Sequence, residues 1–126
     1  MIRVVDVTQH YSVKPVLKRV SLDIGPGSRT AIIGPNGMGK TTLLGVMAGA
    51  LSPQSGYVEI DGVRRRSAVE DELEIRRRCV YLPDRAWLPK NRTGREYLLA
   101  VGGLYELPVD RLLEHSGRLL ALFEVD

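Results

Sequence analysis

Cysteine occurs once in these 126 residues, as Cys79. With no second thiol in the chain to pair with, an internal disulfide framework is excluded, which suits a reducing cytoplasm. Cys79 lies in an apolar segment and reads as a buried space-filler. Aromatic residues make up only 6% of the chain, and none interleaves its two basic runs, Arg64-Arg65-Arg66 and Arg76-Arg77-Arg78. A platform that stacks single-stranded bases needs such aromatics, so no specific nucleic acid is expected as a partner. The second run follows Glu70, Asp71, Glu72 and Glu74 and reads as part of a helix of mixed charge, and both runs read as solvated faces. No apolar run approaches the ~18 residues of a membrane span, and residues 1–6 lack a signal-peptide pattern. Membrane contact is therefore expected to go through a partner. Internal repeats and low-complexity segments are also missing.

What is present is an ordinary globular composition, 44% hydrophobic and 26% charged with a net charge of +3. It is one domain's worth of chain and enough to bury a core.

The most informative stretch is Gly34-Pro35-Asn36-Gly37-Met38-Gly39-Lys40-Thr41-Thr42, which meets the pattern G-x-x-x-x-G-K-[ST] at each required position. Residues 29–33 before it read as a short buried strand, and residues 41–48 after it read as a helix that closes at Gly49. Strand, glycine loop and helix are the context a phosphate-binding loop needs. Gly34, Gly37 and Gly39 permit backbone angles that let successive N–H groups turn inward around an anion. Those donors stand at a helix start, where the first amides lack partners and about half a positive charge is expressed. Lys40 adds a full charge for the β- and γ-phosphates, the Thr41 hydroxyl is a candidate Mg²⁺ ligand, and the Thr42 hydroxyl is placed to reach the α-phosphate. The bland alternative is a glycine-rich turn with a solvated lysine.

Along the chain, residues 2–8 and 16–24 read as strands joined by a turn over residues 10–15, and residues 25–28 end the second sharply. A loop over 51–56 leads to a strand over 57–60 that stops at Asp61-Gly62. Residues 68–77 read as helix and 78–82 as strand, broken at Pro83. Residues 84–92 read as a loop containing Trp87 and Pro89. Thr93-Gly94-Arg95-Glu96 has the form of a capping box opening a helix through Leu104, its last turns weakened by Gly102-Gly103. Pro108 opens a further helix carrying Leu112, Leu113, Leu119, Leu120 and Leu122.

Taken together, Tyr11 ahead of the loop, the run from Gly34 to Leu44, Ala48-Gly49, Pro53-x-Ser55-Gly56, Ile60-Asp61-Gly62 and Tyr81-Leu82-Pro83 resemble the N-terminal half of an ATP-binding cassette (ABC) ATPase. The resemblance runs from about Val4 to Leu107. It implies an α/β P-loop fold of ABC type: a mixed β-sheet subdomain, part of a RecA-like core and the start of a helical subdomain. It would be one incomplete domain, with an antiparallel part and the phosphate loop in 1–62, a stretch to the Q-loop region in 63–92 and the helical start in 93–126.

The resemblance further implies that ATP and Mg²⁺ are the cofactors. Tyr11 would stack on adenine with Val16 packing nearby, and residues Gly34, Pro35, Asn36, Gly37, Met38, Gly39, Lys40, Thr41 and Thr42 would hold the phosphates. Thr41 and Asp84 would be the metal ligands. Asp84 stands where the family usually has glutamine. An acidic residue there, with the helix that follows Thr93, resembles exporter-like members. The partners implied are a membrane-spanning transporter subunit, met through the region from Asp84 to Arg92, and a second ABC ATPase subunit. The location implied is cytoplasmic, peripheral on the inner face of the membrane.

The family's Leu-Ser-Gly-Gly-Gln signature, its second acidic motif and its switch histidine are missing from these residues. The run from Leu119 to Asp126 is not that acidic motif, because no signature precedes it. The expectation is an N-terminal fragment that binds nucleotide and turns over little alone, with no catalytic residue of its own. An ATP-binding module without catalysis and an ABC ATPase outside transport remain alternatives.

Overall fold

A computed structural model describes residues 1–11, 13–85 and 88–125 of the chain. Ser12 in the first turn, Trp87 with Ala86 in the later loop, and Asp126 lie outside the described residues. The chain divides into two units, Met1–Tyr81 and Leu82–Asp126, each described by itself.

The first unit is built on a four-stranded antiparallel sheet. β1 (Ile2–His10) and β2 (Pro15–Ile24) form a hairpin in which Ile2 faces Ile24 and Val4 faces Leu22. β3 (Ser55–Ile60) pairs with the other edge of β1, placing Val58 opposite Val4. The two-residue β4 (Val63–Arg64) closes a tight hairpin on β3 and completes the order β2-β1-β3-β4.

Strict alternation in β1 is broken once. Val4, Val7 and Gln9 are buried, so the phase shifts between Val4 and Val7, where the register with both neighbours also shifts. An extra residue in one strand does this, by taking a local kink that frees an amide from the ladder. Asp6 has φ +48°, and its N–H donates to Ser21 Oγ at 2.9 Å. The amide of Arg19, also at φ +48°, donates to Thr8 Oγ1 at 3.1 Å. Hydroxyls from the facing strand thus take up the amides that the ladder releases, and the buried face stays apolar through Val7.

Two helices cover that face. α1 (Lys40–Ala48) contributes Leu43, Val46 and Met47, and α2 (Val69–Arg78) contributes Ile75, which is 1% exposed. They pack with Val4, Val7, Leu17, Val58 and Ile60 into one cluster. Cys79 is half-buried against it, which is less than the full burial its apolar setting suggested. α2 carries acidic residues in its first turn and arginines in its last, complementing its dipole, and Arg78 bonds Glu74 at 2.6 Å.

Two expected strands do not form. Residues 29–33 and 79–82 have no ladder partner among the described residues, and Arg78 ends α2. Ile33 is 91% exposed and Leu82 85% exposed. Apolar β-branched runs favour extended backbone, but a strand exists only through its ladder, and neighbours along the sequence cannot supply one.

The second unit is a helical hairpin, α3 (Gly94–Leu104) and α4 (Val109–Leu122). The capping box is formed: the Glu96 amide donates to Thr93 Oγ1 at 3.2 Å, and the Thr93 amide donates to Glu96 Oε2 at 2.8 Å. Gly102 has a packing role as well: it lets α4 approach α3. A Cβ there would stand 1.9 Å from Leu112 Cδ2. No helix among the described residues is long and apolar enough to cross a membrane.

Candidate functional site

β2 leaves the sheet at Ile24 into a turn closed by Ser28, whose hydroxyl donates to the Gly25 carbonyl at 2.6 Å. Residues 29–35, in no helix or strand, then lead to the glycine loop, which turns directly into α1. Gly37 at φ +82° and Gly39 at φ +84° adopt the left-handed conformation that side chains resist. Gly39 is the N-cap of α1 and offers no side chain to its first amides, and the first turn carries no acidic residue. The positive end of this helix is therefore left free for an external anion.

Lys40 folds back over the loop. Its Nζ donates to the carbonyl oxygens of Gly34 at 2.6 Å and Pro35 at 2.7 Å. Two donors of the ammonium hold the loop closed on itself, which leaves one for a ligand. A cavity of about 360 Å³ opens beside it, lined by Tyr11, Val16, Asn36, Gly37, Gly39, Lys40, Thr41 and Thr42. Its size lies within the range of small-ligand pockets. A Cβ built on Gly34 or Gly37 would meet no other atom within 4 Å, so no neighbouring side chain crowds the loop at these two positions.

Tyr11 is 63% exposed at the cavity rim, and its hydroxyl accepts a long 3.5 Å hydrogen bond from Thr42 Oγ1. Val16 packs directly against Gly39. Thr42 is buried, whereas Thr41 is exposed beside it. Gly34 and Pro35 contribute carbonyls to Lys40 without lining the cavity, and Met38 is exposed and outside it. Asp84 belongs to the second unit, where it is exposed. Among the described residues no cluster of three His, Cys, Asp or Glu side chains is poised for a metal. A hydroxyl, water and phosphate oxygens are the donor set a magnesium ion takes in such loops, and the exposed Thr41 hydroxyl fits it.

The solvated-face reading of Arg64-Arg65-Arg66 is corrected at Arg65 alone; Arg64 and Arg66 are exposed. Arg65 is buried, donating from Nε to the Met47 carbonyl at 2.8 Å and from Nη1 to Glu72 Oε1 at 2.7 Å. Arg64 lies over the Tyr57 ring at 4.2 Å. One sequence signal pointed there: the last turn of α1 has no basic residue to meet its carbonyls.

Comparison with known proteins bears on what this loop belongs to. A family described as ABC transporter matches residues 17–122. The chain belongs to the ABC transporter family. It is similar to the ABC-type transporter ATP-binding protein EcsA of Bacillus subtilis, 29% identical over 126 residues that make up all of this chain and 50% of EcsA. It is also similar to the hemin import ATP-binding protein HmuV of Rhizobium meliloti, 44% identical over 77 residues that make up 61% of this chain and 29% of HmuV. Among solved structures, an ATP binding subunit of an ABC transporter superposes with a TM-score of 0.80 at 29% identity, covering 98% of this chain and 50% of that one. The α/β P-loop fold of ABC type is thereby shown. The chain spans half or less of the length of these relatives.

Proposed function

We propose that this ABC family chain binds ATP with Mg²⁺ in the cavity between Tyr11 and the glycine loop, as the nucleotide-binding part of a transporter's ATP-binding subunit. The observation that carries the reading is the uncapped start of α1 facing a cavity, with Lys40 drawn across the glycine loop beside it. The free amides of α1 and the Lys40 ammonium would bind the β- and γ-phosphates, and Thr42 the α-phosphate. Tyr11, half free on the rim, would stack on the base, and Val16 would hold Gly39 from behind. The Thr41 hydroxyl would hold the magnesium ion, which when bound neutralises charge on the phosphates.

In the whole subunit, ATP binding and hydrolysis would drive solute transport. Residues 84–92 are proposed to meet the membrane-spanning subunit, from the cytoplasmic side. A second ATP-binding subunit is the other proposed partner. A related ATP-binding cassette, similar to this chain at 26% identity and a TM-score of 0.80, was solved as a dimer bound to ADP and Pi, which supports both nucleotide and pairing.

Thermal unfolding tests the reading. At MgATP about 100 times its Kd, ligand linkage adds about 2.7 kcal/mol to stability, so the melting temperature should rise. Lys40→Ala should abolish the rise. An equal rise in both proteins would place the ligand away from the loop and sink the proposal.

A further inference from the structure

The far end of the phosphate-loop helix is held from outside. α1 ends at Ala48 with Gly49 at φ +80°, and its last turn supplies no cation of its own. Arg65, just after β4, meets that end. Only 4% of its side chain is exposed, its amide donates to the Val58 carbonyl at 2.9 Å, and its guanidinium bridges the Met47 carbonyl and Glu72 of α2. Arg66 Nη2 donates to the Gly49 carbonyl at 3.0 Å. The fit is close: a Cβ on Gly49 would stand 2.5 Å from Arg65 Nη1. The other oxygen of Glu72 is buried without a partner in the described structure, so this carboxylate leans on Arg65 and, at 3.4 Å, on Arg76.

We propose that Arg65 is a positioning residue for phosphate binding. By tying the Met47 carbonyl to Glu72 it fixes where α1 sits along its axis, and so where the amides of Lys40 and Thr41 stand at the other end. α1 is only nine residues long, so a shift of the helix at Met47 would be carried along its hydrogen-bonded turns to the loop. A guanidinium suits the task because its planar fork makes charge-assisted bonds in fixed directions. Donors that bind an anion must be held within about 0.5 Å of their working positions. This inference rests on the nucleotide reading above.

The test is calorimetric titration of the full chain with MgATP and, separately, with inorganic tripolyphosphate. Wild type, Lys40→Ala, Arg65→Met, Arg65→Lys and Glu72→Gln are compared at a temperature where circular dichroism finds each native. A residue that only stabilises the fold lowers the binding stoichiometry of a marginal variant and leaves Kd alone. A positioning residue raises Kd at full stoichiometry. Arg65→Met should weaken both ligands about 5- to 20-fold, within the range for residues that act on a site without touching its ligand, and Arg65→Lys should recover part of the loss. If Arg65→Met does not fold, Glu72→Gln, which keeps the arginine and loosens its anchor, should still raise Kd for both ligands. Wild-type binding with unchanged Kd in every folded Arg65 and Glu72 variant would overturn the positioning role while Lys40→Ala still upholds the nucleotide reading. Absence of wild-type binding would overturn the nucleotide reading and this inference with it.

Discussion

A Cβ built on Gly39 would stand 2.9 Å from both the Cγ1 and the carbonyl oxygen of Val16. The methyl group could rotate away, but the carbonyl belongs to β2 and cannot. Gly39 also has φ +84°, so any side chain meets backbone strain as well as a wall. Gly39→Ala is expected to cost about 1–3 kcal/mol of stability, the range for a strained left-handed residue. Chemical denaturation measures this, and a variant as stable as wild type would mean that Val16 does not brace the loop.

Tyr11 is 63% exposed on the rim of the same cavity, free to lie against a flat ligand. Tyr11→Ala should weaken ATP binding about 3- to 10-fold, the scale of one aromatic stacking contact. Tripolyphosphate has no base, so its affinity should stay unchanged. Equal losses for both ligands would remove the stacking role.

Much of this was legible in the sequence wherever the cause is local. The capping box of α3 needs only Thr93 and Glu96, three residues apart, and it formed with both hydrogen bonds. The hairpin of β1 and β2 and the left-handed stop at Gly49 are likewise short-range. The unreadable parts depend on distant partners. Residues 29–33 carry the composition of a strand, yet only a ladder would make them one. Arg65 sits in a run of arginines that looks solvated, and its burial depends on Met47 and Glu72, neither adjacent in sequence. In the site, Met38 matched the motif by position alone, and the structure leaves it outside the cavity.

Thr93 caps the second unit's first helix with its hydroxyl. Thr93→Ala should destabilise that helix by about 1 kcal/mol, as loss of an N-cap generally does. Hydrogen exchange at the Glu96 amide should speed up, and unchanged protection would contradict the capping role.

The Met1 ammonium donates to the Asp61 carboxylate, and that bond, followed by the attraction between the two charges, holds the carboxyl below its ordinary value. Burial opposes the shift and the Arg78 charge adds to it. A carboxylate with a lowered folded pKa contributes stability above its unfolded value, near pH 4, and loses it as pH falls through the lowered one. Asp61→Asn should therefore lower the melting temperature near neutrality, with the difference from wild type closing in strong acid. Asparagine tolerates the positive φ at this position, so backbone strain does not confuse the comparison. A difference that persists undiminished at low pH would contradict the ion pair's role.

The most direct measurement of nucleotide binding at this loop is the set of amide proton–nitrogen correlation spectra recorded as MgATP is added. The amides of Gly37, Gly39, Lys40, Thr41 and Thr42 should shift most, followed by Tyr11, and the shifts should saturate together at one Kd. Shifts confined to the arginine-lined side around Arg64 and Ser67, or none at all up to millimolar ligand, would contradict it.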